Sequence, residues 1–195
     1  MNSKKRINKL ILFDWGNIVE SHTSGFSCKD AFEELFKECG YIGDEVVFNS
    51  LSKYEITAIH TYEEFKNTFQ DMKKEFGLKV EFEEFAKKYE EIFDKIDMYE
   101  DVRDYEISLN DKCYIGIFSN LTIFDKKRLD KQVGLKNYDY VFLSFEMGCR
   151  KPDIIIFEKI QSKIPFRKED ILFIDDKEKN IKAAKEFGWN TLCAT

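Results

Sequence analysis

The chain has 195 residues, enough for one domain with a large insertion or for two small domains. Its composition is globular, with 43% hydrophobic and 35% charged residues, and a net charge of −6 with a pI near 5.2 argues against nucleic acid as a partner. The five cysteines are odd in number and scattered without a C-x-x-C pair, and no apolar run reaches membrane-spanning length. A reduced cytoplasmic protein is expected.

In chain order, the first element is Leu10-Ile11-Leu12-Phe13, an apolar run too short for a helix and without polar alternation. It reads as a buried strand that delivers Asp14, followed by Gly16. Residues 20–105 carry amphipathic helix patterns and no convincing strand. Ser27 is the expected N-cap of a helix through Ala31, Phe32, Leu35, Phe36 and Cys39, with Gly40 as its stop. A looser pattern runs through Val46, Val47, Leu51, Tyr54, Ala58 and Ile59. Thr61 and Glu64 form a capping box ahead of Phe65, Phe69, Met72 and Phe76, and a last stripe runs from Phe82 to Ile96. Such aromatic stripes predict a small helical bundle burying its own core.

From about residue 106 the pattern switches to strands alternating with helices. Cys113–Phe118, Tyr140–Leu143 and Ile171–Ile174 are apolar strand runs, and Thr191-Leu192-Cys193 is a short fifth. The fold class expected is α/β: a Rossmann-like parallel sheet core formed by residues 1–19 and 106–195, with residues 20–105 inserted as an α-helical bundle cap. The insert sums to −11 and the remainder to +5, a distribution better suited to a small anion than to a polyanion.

In a parallel sheet the C-terminal strand ends share one rim. Here that rim receives Asp14, Ser119 and the pair Asp175-Asp176, with Lys151 in the loop after the third strand. Each has an ordinary reading alone: Asp14 as a turn residue, Ser119-Asn120 as a turn and cap, Lys151 as a surface lysine, Asp175-Asp176 as a helix cap. Together they supply hard oxygen ligands for Mg²⁺ and an ammonium for a phosphate dianion. Asp14 is then available as a nucleophile on phosphorus.

This order of motifs resembles the haloacid dehalogenase-like hydrolase superfamily. Phe13-Asp14-Trp15-Gly16-Asn17-Ile18-Val19 is similar to the first motif of its bacterial sugar-phosphate phosphatase branch, and Phe118-Ser119-Asn120 to the second. Met147 to Asp153, around Lys151-Pro152, is similar to the third, and Phe173-Ile174-Asp175-Asp176 to the fourth. The resemblance implies a Mg²⁺-dependent phosphomonoester hydrolase of a small phosphorylated metabolite, with Asp14 forming an aspartyl-phosphate. It further implies that Ser119 and Lys151 hold the phosphoryl oxygens, with Trp15, Gly16 and Asn120 completing the substrate site. Mg²⁺ is expected on Asp14, the Gly16 carbonyl and Asp176, with Asp175 beside it.

One position departs from most phosphatases of the superfamily: Gly16 stands where they carry an aspartate acting as general acid and base. Glu20 and His22 are the nearby candidates for that proton. A dehalogenase needs no such acid, and a non-catalytic phosphate-binding protein needs none either, so both stand as alternatives.

Overall fold

Leu10 and Leu12 face one side of a sheet, packing with Phe118, Phe157, Phe173 and Trp189, while Ile11 and Phe13 face the other, with Trp15, Ile115, Ile117 and Leu143. That two-sided burial explains why the strand is continuously apolar. The structure, a computed structural model, describes residues 6–16, 25–43 and 47–194. Asn17 to Val19, the proton-donor candidates Glu20 and His22, and Val46 lie outside the described residues.

Five parallel strands run in the order β3-β2-β1-β4-β5, with β1 (Leu10–Phe13) central. It pairs with β2 (Tyr114–Ser119) on one side and β4 (Ile171–Asp175) on the other, aligning Phe13 with both Ile117 and Ile174. β3 (Tyr140–Leu143) and β5 (Asn190–Cys193) form the edges. The expected Rossmann-like α/β core is therefore present.

Between β1 and β2 lie the inserted helices α1 (Cys28–Glu38), α2 (Val47–Ser50), α3 (Tyr62–Phe76), α4 (Phe82–Phe93) and α5 (Glu100–Ser108). Both expected caps form: Ser27 with Asp30 on α1, and Thr61 with Glu64 on α3, each a reciprocal capping box. Phe32, Phe36, Phe65, Phe69, Phe82, Phe85 and Phe93 bury one another in an aromatic core separate from those of the sheet. Edge-on pairs such as Phe32–Phe93, 4.8 Å between centroids, suit the opposed charge of ring faces and edges.

The insert differs from expectation in two places. The looser pattern over 46–59 is not one helix but α2 and two 3₁₀ turns, Leu51–Tyr54 and Ile56–Ala58, separated at Glu55 by a left-handed φ of 48°. α5 was not expected, because its one fully buried side chain is the charged Glu106 and no apolar stripe marks it. It crosses the boundary expected at 105/106, and Met98 and Val102 pack beneath the sheet with Phe13 and Ile115.

After β2 come α6 (Asp125–Val133), then β3, α7 (Ser144–Met147), α8 (Ile154–Gln161), β4, α9 (Glu178–Phe187) and β5. Among the described residues no helix is long and apolar enough to cross a membrane.

Candidate active site

The register that aligns Phe13 with Ile117 and Ile174 carries Asp14 to the rim between the ends of β2 and β4. Asp14 N–H donates to Ile174 O at 2.9 Å, extending the ladder by one bond. Asp14 is 3% exposed, and its Oδ1 receives the Ser119 hydroxyl at 2.6 Å. Lys151 Nζ lies 3.0 Å from the same oxygen and 2.6 Å from Asp175 Oδ2, and it also donates to Phe118 O at 2.8 Å. A lysine only 1% exposed is tolerable because two carboxylates and a carbonyl replace its water.

Asp175 accepts further from Lys177 N–H at 2.8 Å and from Asn180 Nδ2 at 2.9 Å. Burial pushes its carboxyl pKa up, aided by Asp14 and opposed by Lys151. One carboxylate oxygen from each of Asp14, Asp175 and Asp176 lies within 4.8 Å of the others. Three hard anionic ligands so close fit a small divalent cation such as Mg²⁺.

The Asn120 amide lines the cavity while bonded to backbone, and the Trp15 side chain is turned into the core. The Asn120 amide is bonded to the Lys151 backbone in both directions at 2.9 Å, so its side chain serves the loop that carries the lysine. Trp15 is fully buried among Ile115, Ile117 and Leu129, with the Arg128 guanidinium 4.3 Å from its ring centroid. Its side chain is a core group; binding at Trp15 is open only to its backbone.

Asp14, Gly16, Ser119, Asn120 and Lys151 line one end of a cavity of about 510 Å³. Phe32, Phe48, Leu51, Ile56 and Phe93 of the insert supply an apolar wall. Asp125 lines it too, accepting from Thr122 N–H at 2.8 Å, Thr122 Oγ1 at 2.9 Å, Tyr89 Oη at 3.1 Å and Arg128 Nη2 at 3.2 Å. Sequence carries one signal for this buried group, the Thr122-x-x-Asp125 spacing of a capping box.

A family model described as haloacid dehalogenase-like hydrolase matches residues 12–194. The chain belongs to this family. A curated relative, the D-ribitol-5-phosphate phosphatase of Bacteroides thetaiotaomicron, is 25% identical over 94% of this chain and 90% of its own. Among solved structures, a haloacid dehalogenase family enzyme of the same organism superposes with a TM-score of 0.76 at 22% identity, over 98% of this chain and 95% of that one. The L-2-haloacid dehalogenase of Xanthobacter autotrophicus, solved with chloropropionic acid covalently bound, gives 0.65 at 13%, over 95% and 76%. At these identities the superpositions establish the shared haloacid dehalogenase-like fold.

Proposed function

We propose that this hydrolase is a Mg²⁺-dependent phosphatase of a small phosphorylated metabolite, a sugar or polyol phosphate. The observation that carries the reading is the cluster of Asp14, Ser119, Lys151, Asp175 and Asp176 at three adjacent strand ends, opening into a cavity of metabolite size. The curated relative named for ribitol 5-phosphate supports it, as does a Bacteroides thetaiotaomicron family enzyme solved with magnesium and inorganic phosphate (TM-score 0.70, 20% identity, 97% and 95% coverage).

In this reading Asp14, Asp176 and the Gly16 carbonyl would hold Mg²⁺, with Asp175 beside it, and the ion would supply neutralisation of charge on the transferred phosphoryl group. Ser119 and Lys151 hold the phosphoryl oxygens. An oxygen of Asp14 attacks phosphorus and the bond from phosphorus to the ester oxygen breaks, leaving an aspartyl-phosphate and an alkoxide that takes a proton. Water then attacks phosphorus, releasing inorganic phosphate and restoring the Asp14 carboxylate. Gly16 has no proton to give, so the alkoxide is protonated by water or by a group other than residue 16.

The test is phosphate release over a panel of phosphorylated metabolites, with and without Mg²⁺. Turnover that EDTA abolishes is expected. Halide release from 2-haloacids surviving EDTA would favour the dehalogenase alternative, and Mg²⁺-dependent phosphate binding without turnover the non-catalytic one.

A further inference from the structure

We infer that the ligand of this cavity carries two anionic groups, the scissile phosphate and a second phosphate or carboxylate; the inference rests on the phosphatase reading above. Lys29, Arg150, Lys177 and Lys179 all line the cavity that contains Asp14. They come from three separate parts of the chain: the first turn of α1, the residue before Lys151, and the entry to α9. Folding gathers them at one opening.

None of the four takes part in an ion pair of the described residues, so each is available to a ligand in the cavity. Lys177 lies near the carboxylates of Asp14, Asp175 and Asp176, and Lys29, Lys177 and Lys179 are exposed, so carboxylates and solvent offset part of this charge. An anionic ligand entering the opening meets all four cations.

With a divalent ion bound, the formal charge around the opening exceeds that of one phosphate dianion. The carboxylates of Asp14, Asp175 and Asp176, the Lys151 ammonium and a divalent ion cancel one another. Arg128 is committed to Asp125. A phosphate monoester dianion therefore meets only half of the charge offered by the four remaining cations, and a second anionic group meets the rest. The cavity, at about 510 Å³, holds a carbon skeleton as well as the phosphate, against the wall of Phe32, Phe48 and Phe93.

The test compares matched esters at low ionic strength: glucose 6-phosphate with 6-phosphogluconate, and fructose 6-phosphate with fructose 1,6-bisphosphate. The first pair adds a carboxylate and the second a phosphate, so the arms separate the two sources. The member with the second anion should show kcat/KM about tenfold higher in at least one pair, an advantage that shrinks with added salt. A Lys29→Ala/Lys179→Ala double variant should erase most of that advantage. Equal kcat/KM within about twofold in both pairs, or a variant that lowers both members of a pair equally, overturns the inference. Calorimetric binding of the same compounds to the Asp14→Asn variant separates the two claims. Turnover of single-anion esters without preference defeats this inference alone; tighter binding of the doubly anionic members with no turnover defeats the phosphatase reading alone.

Discussion

The Asn120 side chain and the Lys151 backbone bond each other reciprocally, Nδ2 to the Lys151 carbonyl and Lys151 N–H to Oδ1, both at 2.9 Å. The pair fixes the loop from which Lys151 reaches Asp14 and Asp175. Asn120 thus acts through Lys151. Asn120→Ala should lower kcat about 10- to 100-fold, because a misaligned ammonium loses its alignment on the reacting group. KM should move far less, and Asn120→Asp, which keeps the acceptor, should fall between. A change in KM alone would mean that Asn120 touches the ligand directly.

Removing the Lys151 charge should cost stability as well as activity. Lys151→Met leaves Asp14 and Asp175 buried against each other without their cation, a loss of about 3–5 kcal/mol by the usual cost of breaking a buried pair. Thermal melts without metal should show it, and millimolar Mg²⁺ should restore part of the lost stability. A variant melting with the parent would show that the ammonium is not what holds the carboxylates.

Glu106 predicts a pH dependence unrelated to the site. It is 1% exposed, burial pushes its pKa to about 8, and its polar contact is the Tyr138 hydroxyl at 2.9 Å. The folded protein holds this proton more tightly than the unfolded chain. The contribution is therefore complete below the unfolded value near 4.5 and is lost as pH rises to about 8. Glu106→Gln should flatten that decline and raise Tm at pH 8, with a gain of order 2–4 kcal/mol. An unchanged pH profile in the variant would refute the assignment.

Gly116, in the middle of β2, has no room for a methyl group. A Cβ there would lie 2.8 Å from the Tyr140 carbonyl and 2.9 Å from Leu12 Cδ2, between two paired strands. Gly116→Ala should destabilise by roughly 1–3 kcal/mol and disturb β2, which delivers Ser119. Parent-like denaturant midpoints would show that the strands separate without cost.

How much of this is legible in the sequence follows from what each residue depends on. Asp14, Ser119 and Asp175 are visible because a short apolar run ending in a polar residue already implies a strand end, and the parallel topology brings those ends together. The capping boxes at Ser27 and Thr61 are equally local. Trp15 is not legible: its neighbour Asp14 faces the cavity, and strand alternation turns the indole into the core. α5 hides because its buried face carries Glu106 in place of an apolar stripe. The cations Lys29, Arg150, Lys177 and Lys179 look like ordinary surface residues until folding sets them around one opening, and Tyr89 meets Asp125 only across the join of insert and core.

The central claim is that Asp14 is the nucleophile of a phosphatase. The direct measurement is Mg²⁺-dependent phosphate release by Asp14→Asn on the best ester of the panel, beside circular dichroism and melting of the same sample. The expected result is a fold indistinguishable from the parent and a kcat lower by at least ~10³-fold. A folded Asp14→Asn protein that releases phosphate as fast as the parent would contradict it.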